Sequence, residues 1–330
     1  MKPERQPMAP AALLLGVSTS RPNVTRARLW LTWVALLALL PSPKAAFAEE
    51  RRDVLIPMSR RAGGPQLDTQ VVTPAGDGPF PVVILNHGSP RTPADRVHRP
   101  TYKAATRWFL DRGFAVLIPS RRGYGRTKGA FAEGFGSCER PDYVKAARAT
   151  AADIRAVVAW ARAQPWVKRG AIIPIGQSAG GFGVIALAAE SVPGVAGVIN
   201  FAGGRGSPAD GRNCSAKALR EAARVFGRTA TAPSLWVYSQ NDRFFWPKLA
   251  RGLYRAYRSE SRSRSLYVQL PSYGRNGHGV FSAADGPEVW GPVVADYLRS
   301  LGFPVAAGPE SLERRQREPA LAAPPEGFLP

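Results

Sequence analysis

The stretch Ile172-Ile173-Pro174-Ile175-Gly176-Gln177-Ser178-Ala179-Gly180-Gly181-Phe182 limits the fold more than any other part of the chain. A β-branched apolar run ends in a serine with glycine two places to either side, and the small-residue helical pattern Val184-Ile185-Ala186-Leu187-Ala188-Ala189 follows at once. That order predicts a strand, a sharp turn and a helix, with the serine in a strained conformation and its hydroxyl clear of the sheet. Glycine at 176 and 180 lets strand and helix approach closely. Gly-x-Ser-x-Gly alone also occurs in plain turns, so it is the strand before and the helix behind that give this serine chemical meaning.

The rest of the chain repeats the alternation. Apolar runs predict strands at Arg51 to Ile56, Gln66 to Thr73, Pro81 to Asn86, Phe114 to Pro119, Val195 to Phe201, Ser234 to Ser239 and Ser265 to Leu270. Helical spacing predicts helices at Thr101 to Arg112, Asp142 to Gln164, Ala216 to Phe226, Pro247 to Arg258 and Pro287 to Ser300. Strands alternating with helices of this length imply right-handed crossovers: an α/β fold with a mainly parallel central sheet and helices on both faces. In such sheets functional groups gather at the carboxyl ends of the strands. The loops carrying Ser89, Ser178, Asp242 and His278 each follow a strand and are expected to meet there.

A serine hydroxyl attacks an acyl carbon only with a base in hydrogen-bond reach and a carboxylate to orient that base. The chain has three histidines. His87 and His98 precede Ser178, and His278 follows it, with Asp242 at a strand end between. The order Ser178, Asp242, His278 is expected to be the catalytic set. For the oxyanion, the backbone N–H of Ala179 opens the helix after the serine. Ser89 is the second candidate donor, because Pro90 beside it has no N–H.

Together Asn86-His87-Gly88-Ser89-Pro90, Arg122-Gly123-Tyr124-Gly125, Gly176-Gln177-Ser178-Ala179-Gly180-Gly181, Asn241-Asp242 and Gly277-His278-Gly279 resemble the α/β-hydrolase superfamily over residues 65 to 300, in its dienelactone hydrolase-like and prolyl-oligopeptidase-like branch. The resemblance implies the α/β-hydrolase fold, with Ser178 as nucleophile, His278 as base and then acid, Asp242 as orienting carboxylate, and His87 holding the oxyanion loop. With three histidines and two cysteines outside any Cys-x-x-Cys pair, a Cys/His metal site has almost no ligands, and neither metal nor cofactor is expected. Dienelactone hydrolases proper use a cysteine where this chain has Ser178, which argues against dienelactone as substrate. Prolyl oligopeptidases carry a propeller, and the roughly 20 residues between the expected cleavage after Ala48 and the strand from Gln66 are not expected to hold one. The expected function is a secreted serine hydrolase cleaving a carboxylic ester or related acyl bond of a small molecule. A periplasmic acyltransferase or small serine peptidase is the alternative, and a non-catalytic binding protein on a hydrolase scaffold is an alternative of another class. For substrate contacts the candidates are Tyr124, Phe244, Phe245 and Arg205, with Phe131 and Trp246 as aromatic neighbours and Arg121 and Arg122 as further cations. Core packing and solvated arginine are the competing readings of these residues.

Arg26 and Arg28, the apolar run Leu29 to Leu40 and Ala46-Phe47-Ala48 have the pattern of a secretory signal peptide over residues 1–48, with the true start near Val24 as an alternative. The run is about a dozen residues against the roughly 20 needed to span a bilayer, so no stable membrane anchor is expected. The protein is then exported, periplasmic or extracellular, with the hydrolase domain at 49–301 and a flexible proline-rich tail at 302–330. In an oxidising compartment Cys138 and Cys214 pair most simply as a disulfide, two buried free thiols being the alternative. The formal charge is +21, with 37 arginines against 8 lysines, scattered along the sequence and outside any recognisable nucleic-acid module. A solvated basic surface is expected, not a nucleic-acid partner.

Overall fold

The structure, a computed structural model, describes residues 48–305 apart from 60–62, 91 and 128. The expected signal peptide, all but Ala48, lies outside them, as does all but the start of the expected tail. That start is packed: Phe303 and Val305 are buried, and Phe303 lies 5.5 Å from Phe114, ring centre to ring centre. The ordered domain therefore continues past residue 301, because two more apolar side chains find core to cover.

Eight strands form one sheet: β1 (Glu50–Pro57), β2 (Gln66–Thr73), β3 (Phe80–Asn86), β4 (Ala115–Pro119), β5 (Val167–Gln177), β6 (Val198–Phe201), β7 (Ser234–Ser239) and β8 (Ser265–Leu270). Their order is β1-β2-β4-β3-β5-β6-β7-β8. β2 pairs antiparallel with both β1 and β4, and every other pairing is parallel. Among the described residues six helices of eight residues or more flank the sheet: α1 (Lys103–Leu110), α2 (Tyr143–Arg162), α3 (Ala179–Ala188), α4 (Ala216–Arg228), α5 (Pro247–Arg258) and α6 (Gly286–Ser300).

The period of two along the strands builds two cores. Val82 and Ile84 of β3 face a cluster shared with α2, α3, α4 and α5, while Val83 and Leu85 face one shared with α1 and α6. Both faces are thus covered, which is why β3 and the 171–175 stretch of β5 read as unbroken apolar runs. α2 starts where Asp142 accepts the Lys145 N–H at 2.8 Å. Every residue of α3 is buried, because α3 lies between the sheet and its neighbouring helices. β3 and β5 are hydrogen-bonded neighbours at the point where the strand order reverses, so the loops after Asn86 and Gln177 open side by side at the carboxyl edge.

Candidate active site

Ser178 has φ 54° and ψ −119°, a conformation rare for a residue with a side chain. The turn is held from both sides: Ser178 N–H donates to Phe201 O at 2.9 Å, while Ser178 O accepts from Phe182 N–H at 3.0 Å and Gly204 N–H at 3.2 Å. Gly180 explains how the loop after β3 comes so near. A Cβ there would overlap the carbonyl oxygens of Asn86 and His87, and one on Gly176 would overlap the backbone of Gly180. Gly88 runs directly across the serine, its Cβ position 3.0 Å from Ser178 Cβ.

His278 sits in a short 3₁₀ turn, Gly277–Gly279, after β8. Its Nδ1 donates to Asp242 at 3.0 and 3.1 Å, which leaves Nε2 as the free ring nitrogen. Asp242 is buried at the end of β7, and its Oδ1 also accepts the N–H groups of Phe244 at 2.8 Å and Phe245 at 2.9 Å. The loop of His278 is fixed by Asn276, which accepts the His278 N–H at 3.1 Å, and by Gln177, whose amide donates to His278 O at 3.1 Å. Ser178 and His278 line the same two cavities. Among the described residues no hydrogen bond joins Ser178 Oγ to the His278 ring, as is common where catalytic hydrogen bonds tighten only around substrate.

Ala179 is the first residue of α3, so its N–H opens the helix beside Ser178. Ser89 lines both cavities with Ser178, and its hydroxyl is 3.0 Å from Tyr124 Oη. His87 Nδ1 donates to Gly88 O at 2.8 Å, and its Nε2 accepts the Arg121 N–H at 3.3 Å. The ring therefore bridges the loop after β3 to the segment that follows β4. Burial, reinforced by the Arg121 charge, pushes its pKa down to about 3, so it stays neutral.

Of the candidate substrate contacts, Phe244 and Phe245 line the larger cavity, of about 640 Å³, and pack their rings 4.7 and 5.7 Å from the His278 imidazole. Tyr124 is buried and lines the smaller cavity, of about 320 Å³. Arg205 reaches the larger cavity but is held from behind by Glu133 at 3.2 Å and by Thr150. The expectation of solvated or substrate-facing cations fails for Arg121 and Arg122. Arg121 is fully buried and paired with Glu133, while Arg122 is paired with Asp153 at 2.7 Å. Trp246 is the residue before α5 and packs against the core. Phe131, with Phe135, forms the far wall of the larger cavity. Cys138 and Cys214 are joined as a disulfide, and both line that cavity.

Glu133, which carries no recognisable motif, is the group that the residue pattern did not disclose. It is buried between Arg121 and Arg205, and accepts from Tyr124 Oη at 3.5 Å. Burial alone would raise its pKa, but the two guanidinium charges outweigh burial and hold it at about 2. Through Tyr124 it reaches Ser89, and through Arg205, which donates to Ala179 O at 3.5 Å, it reaches the start of α3.

A family model for the X-Pro dipeptidyl-peptidase (S15) family matches residues 63–223, just under half of the chain. No curated protein matches the sequence. Among solved structures, an esterase of Pyrococcus furiosus superposes with a TM-score of 0.53 at 15% identity, over 76% of this chain and 93% of its own. A puromycin-hydrolyzing peptidase of Mycobacterium tuberculosis gives 0.54 at 16%, over 80% of this chain and 41% of its own. An acylaminoacyl peptidase of Pyrococcus horikoshii gives 0.54 at 14%, over 84% and 45%. This chain thus spans less than half the length of those peptidases and nearly all of the esterase. The sheet order, the strained serine turn between β5 and α3, and these matches give the chain the α/β-hydrolase fold.

Proposed function

We propose that the protein is an exported serine hydrolase that cleaves a carboxylic ester or related acyl bond of a small molecule. The observation that carries this reading is Ser178 on a strained turn, sharing both cavities with a His278 whose Nδ1 is fixed by buried Asp242. In the proposed reaction His278 Nε2 takes the hydroxyl proton as Ser178 Oγ bonds to the acyl carbon. The negative charge that forms on the former carbonyl oxygen is met by the N–H groups of Ala179 and Ser89. His278 then gives the proton to the departing alkoxide, and water activated by the same ring releases the acid and restores the serine.

Peptidase action is the second reading, and the X-Pro dipeptidyl-peptidase match favours it. Releasing a dipeptide requires a partner for a free terminal ammonium. Glu133 is the one carboxylate among the described residues lining the larger cavity, and Arg121 and Arg205 already claim it. That supports an uncharged acyl group there, against the walls of Phe131, Phe135 and Phe244, and so supports ester over dipeptide.

Labelling with a fluorophosphonate probe tests the nucleophile. Wild type should be labelled and Ser178→Ala should not; labelling of both overturns the assignment. Rates on p-nitrophenyl esters of graded chain length, beside X-Pro p-nitroanilides, then separate the two readings. Faster turnover of the anilides would reject the ester reading.

A further inference from the structure

The arginines are scattered along the sequence, but the fold gathers them. α4, α5 and the turn after α5 (residues 216–228 and 247–264) hold ten Lys or Arg against two acidic residues, Glu221 and Glu260. Nearly half of the net positive charge of residues 48–305 lies in about an eighth of that sequence. On α4 the basic side chains at 217, 220, 224 and 228 recur every three or four residues, opposite the buried Leu219, Ala223 and Phe226. On α5 those at 248, 251 and 255 do the same, opposite Leu249, Leu253 and Tyr257.

The two stripes form one surface. The Arg220 stem lies against Gly252 of α5, whose Cβ position is 3.2 Å from Arg220 Cδ. Arg224 and Arg228 reach across to Glu260 at 3.3 and 3.8 Å. Those two arginines also take up Glu221. Arg220, Arg251 and Arg255 are exposed and have no carboxylate partner among the described residues. Both helices run back from the catalytic edge: α4 begins two residues after Cys214 and α5 five after Asp242. The basic face therefore starts at the rim of the larger cavity.

We propose that this face docks the protein reversibly on the phosphate headgroups of an anionic lipid bilayer, with the mouth of the larger cavity beside that surface. A two-helix face about 20 Å long offers charge with no exposed aromatic or aliphatic wedge, so the attachment is electrostatic and salt-sensitive. Each Lys or Arg that reaches the headgroups is worth roughly fivefold in partitioning. Nucleic acid fits less well, because no exposed ring interleaves the cations to stack on bases. The proposal does not depend on what reaction the site performs.

Cosedimentation of the full chain with phosphatidylcholine vesicles, with and without phosphatidylglycerol, tests it. Wild type should bind only the anionic vesicles and be released by high salt. Arg220→Glu/Arg251→Glu/Arg255→Glu should lose at least about a hundredfold in partitioning, while Arg148→Glu/Lys168→Glu/Arg169→Glu, equal in charge change but on α2 and β5, should lose far less. Thermal melts by circular dichroism show that both variants are folded. Equal loss in the two variants, equal binding to neutral vesicles, no binding at all, or binding to duplex DNA in place of vesicles would each overturn it.

Discussion

Asp242 and Glu133 are both buried carboxylates, and their neighbours give them opposite jobs. Asp242 faces the one histidine of the set and two backbone N–H groups. In Asp242→Asn the amide oxygen still accepts from Phe244 and Phe245, but the imidazole loses the partner that selects its tautomer. We expect kcat on a p-nitrophenyl ester to fall by about 10³–10⁴, with a thermal midpoint close to wild type. Glu133 faces two guanidinium groups that, among the described residues, have no other carboxylate within 4 Å. Glu133→Gln leaves both cations buried and unpaired, which should cost about 3–5 kcal/mol, read as a lower urea midpoint. The pairing of Asp242 with His278, which the structure brings into contact, was legible in the sequence because histidine is rare and the two follow Ser178 in order. Glu133 was not, because its partners are 12 and 72 residues away and no spacing rule connects them.

Among the elements, the turn between β5 and α3 depends on what cannot be placed there. Gly180→Ala would drive a methyl group into the carbonyls of Asn86 and His87. The loop after β3, proposed to hold the oxyanion, must then move away from Ala179, so we expect kcat to drop at least about tenfold, with an overpacking penalty of about 1–3 kcal/mol. A wild-type kcat for this variant would show that the loop's close approach is dispensable. The disulfide ties the β4–α2 loop to the segment after β6 across 76 residues. Closing a loop of that length in the unfolded chain is worth about 4 kcal/mol, so Cys138→Ser/Cys214→Ser should melt earlier, and its larger cavity should lose its fixed rim. The elements themselves were read closely from periodicity: β2, β7, β8 and α5 run as expected. β6 is shorter than its apolar run because at Val195 the chain makes only an isolated bridge to Ile172, a limit that pairing sets and hydropathy does not.

For the whole molecule, acid is the expected weakness. Unfolded, His87 would protonate near 6.5, but in the fold it stays neutral to about 3. Glu133 likewise moves from 4.5 to about 2. Between each pair of values the unfolded chain binds more protons, so stability is full above pH 6.5, declines as the pH falls below that, and declines more steeply below 4.5. The His87 contribution alone reaches up to about 5 kcal/mol at the acid end. Urea midpoints from pH 7 to 3 should follow this course. His87→Gln should flatten the upper part of it, and an unchanged slope in that variant would refute the assignment to His87.

By itself the sequence determined the alternation of strands and helices, the identity of the serine turn, and the order of the residues expected to act there. These are local patterns, or patterns of rarity, that survive in one dimension. Only the tertiary structure decided which charges are buried and which are gathered. Glu133 meets Arg121 and Arg205 because β4, α2 and β6 converge at one sheet edge, and the basic stripes of α4 and α5 form one face because those two helices pack together. Electrostatic environment depends on distances through space, and chain order does not encode those until the core has closed.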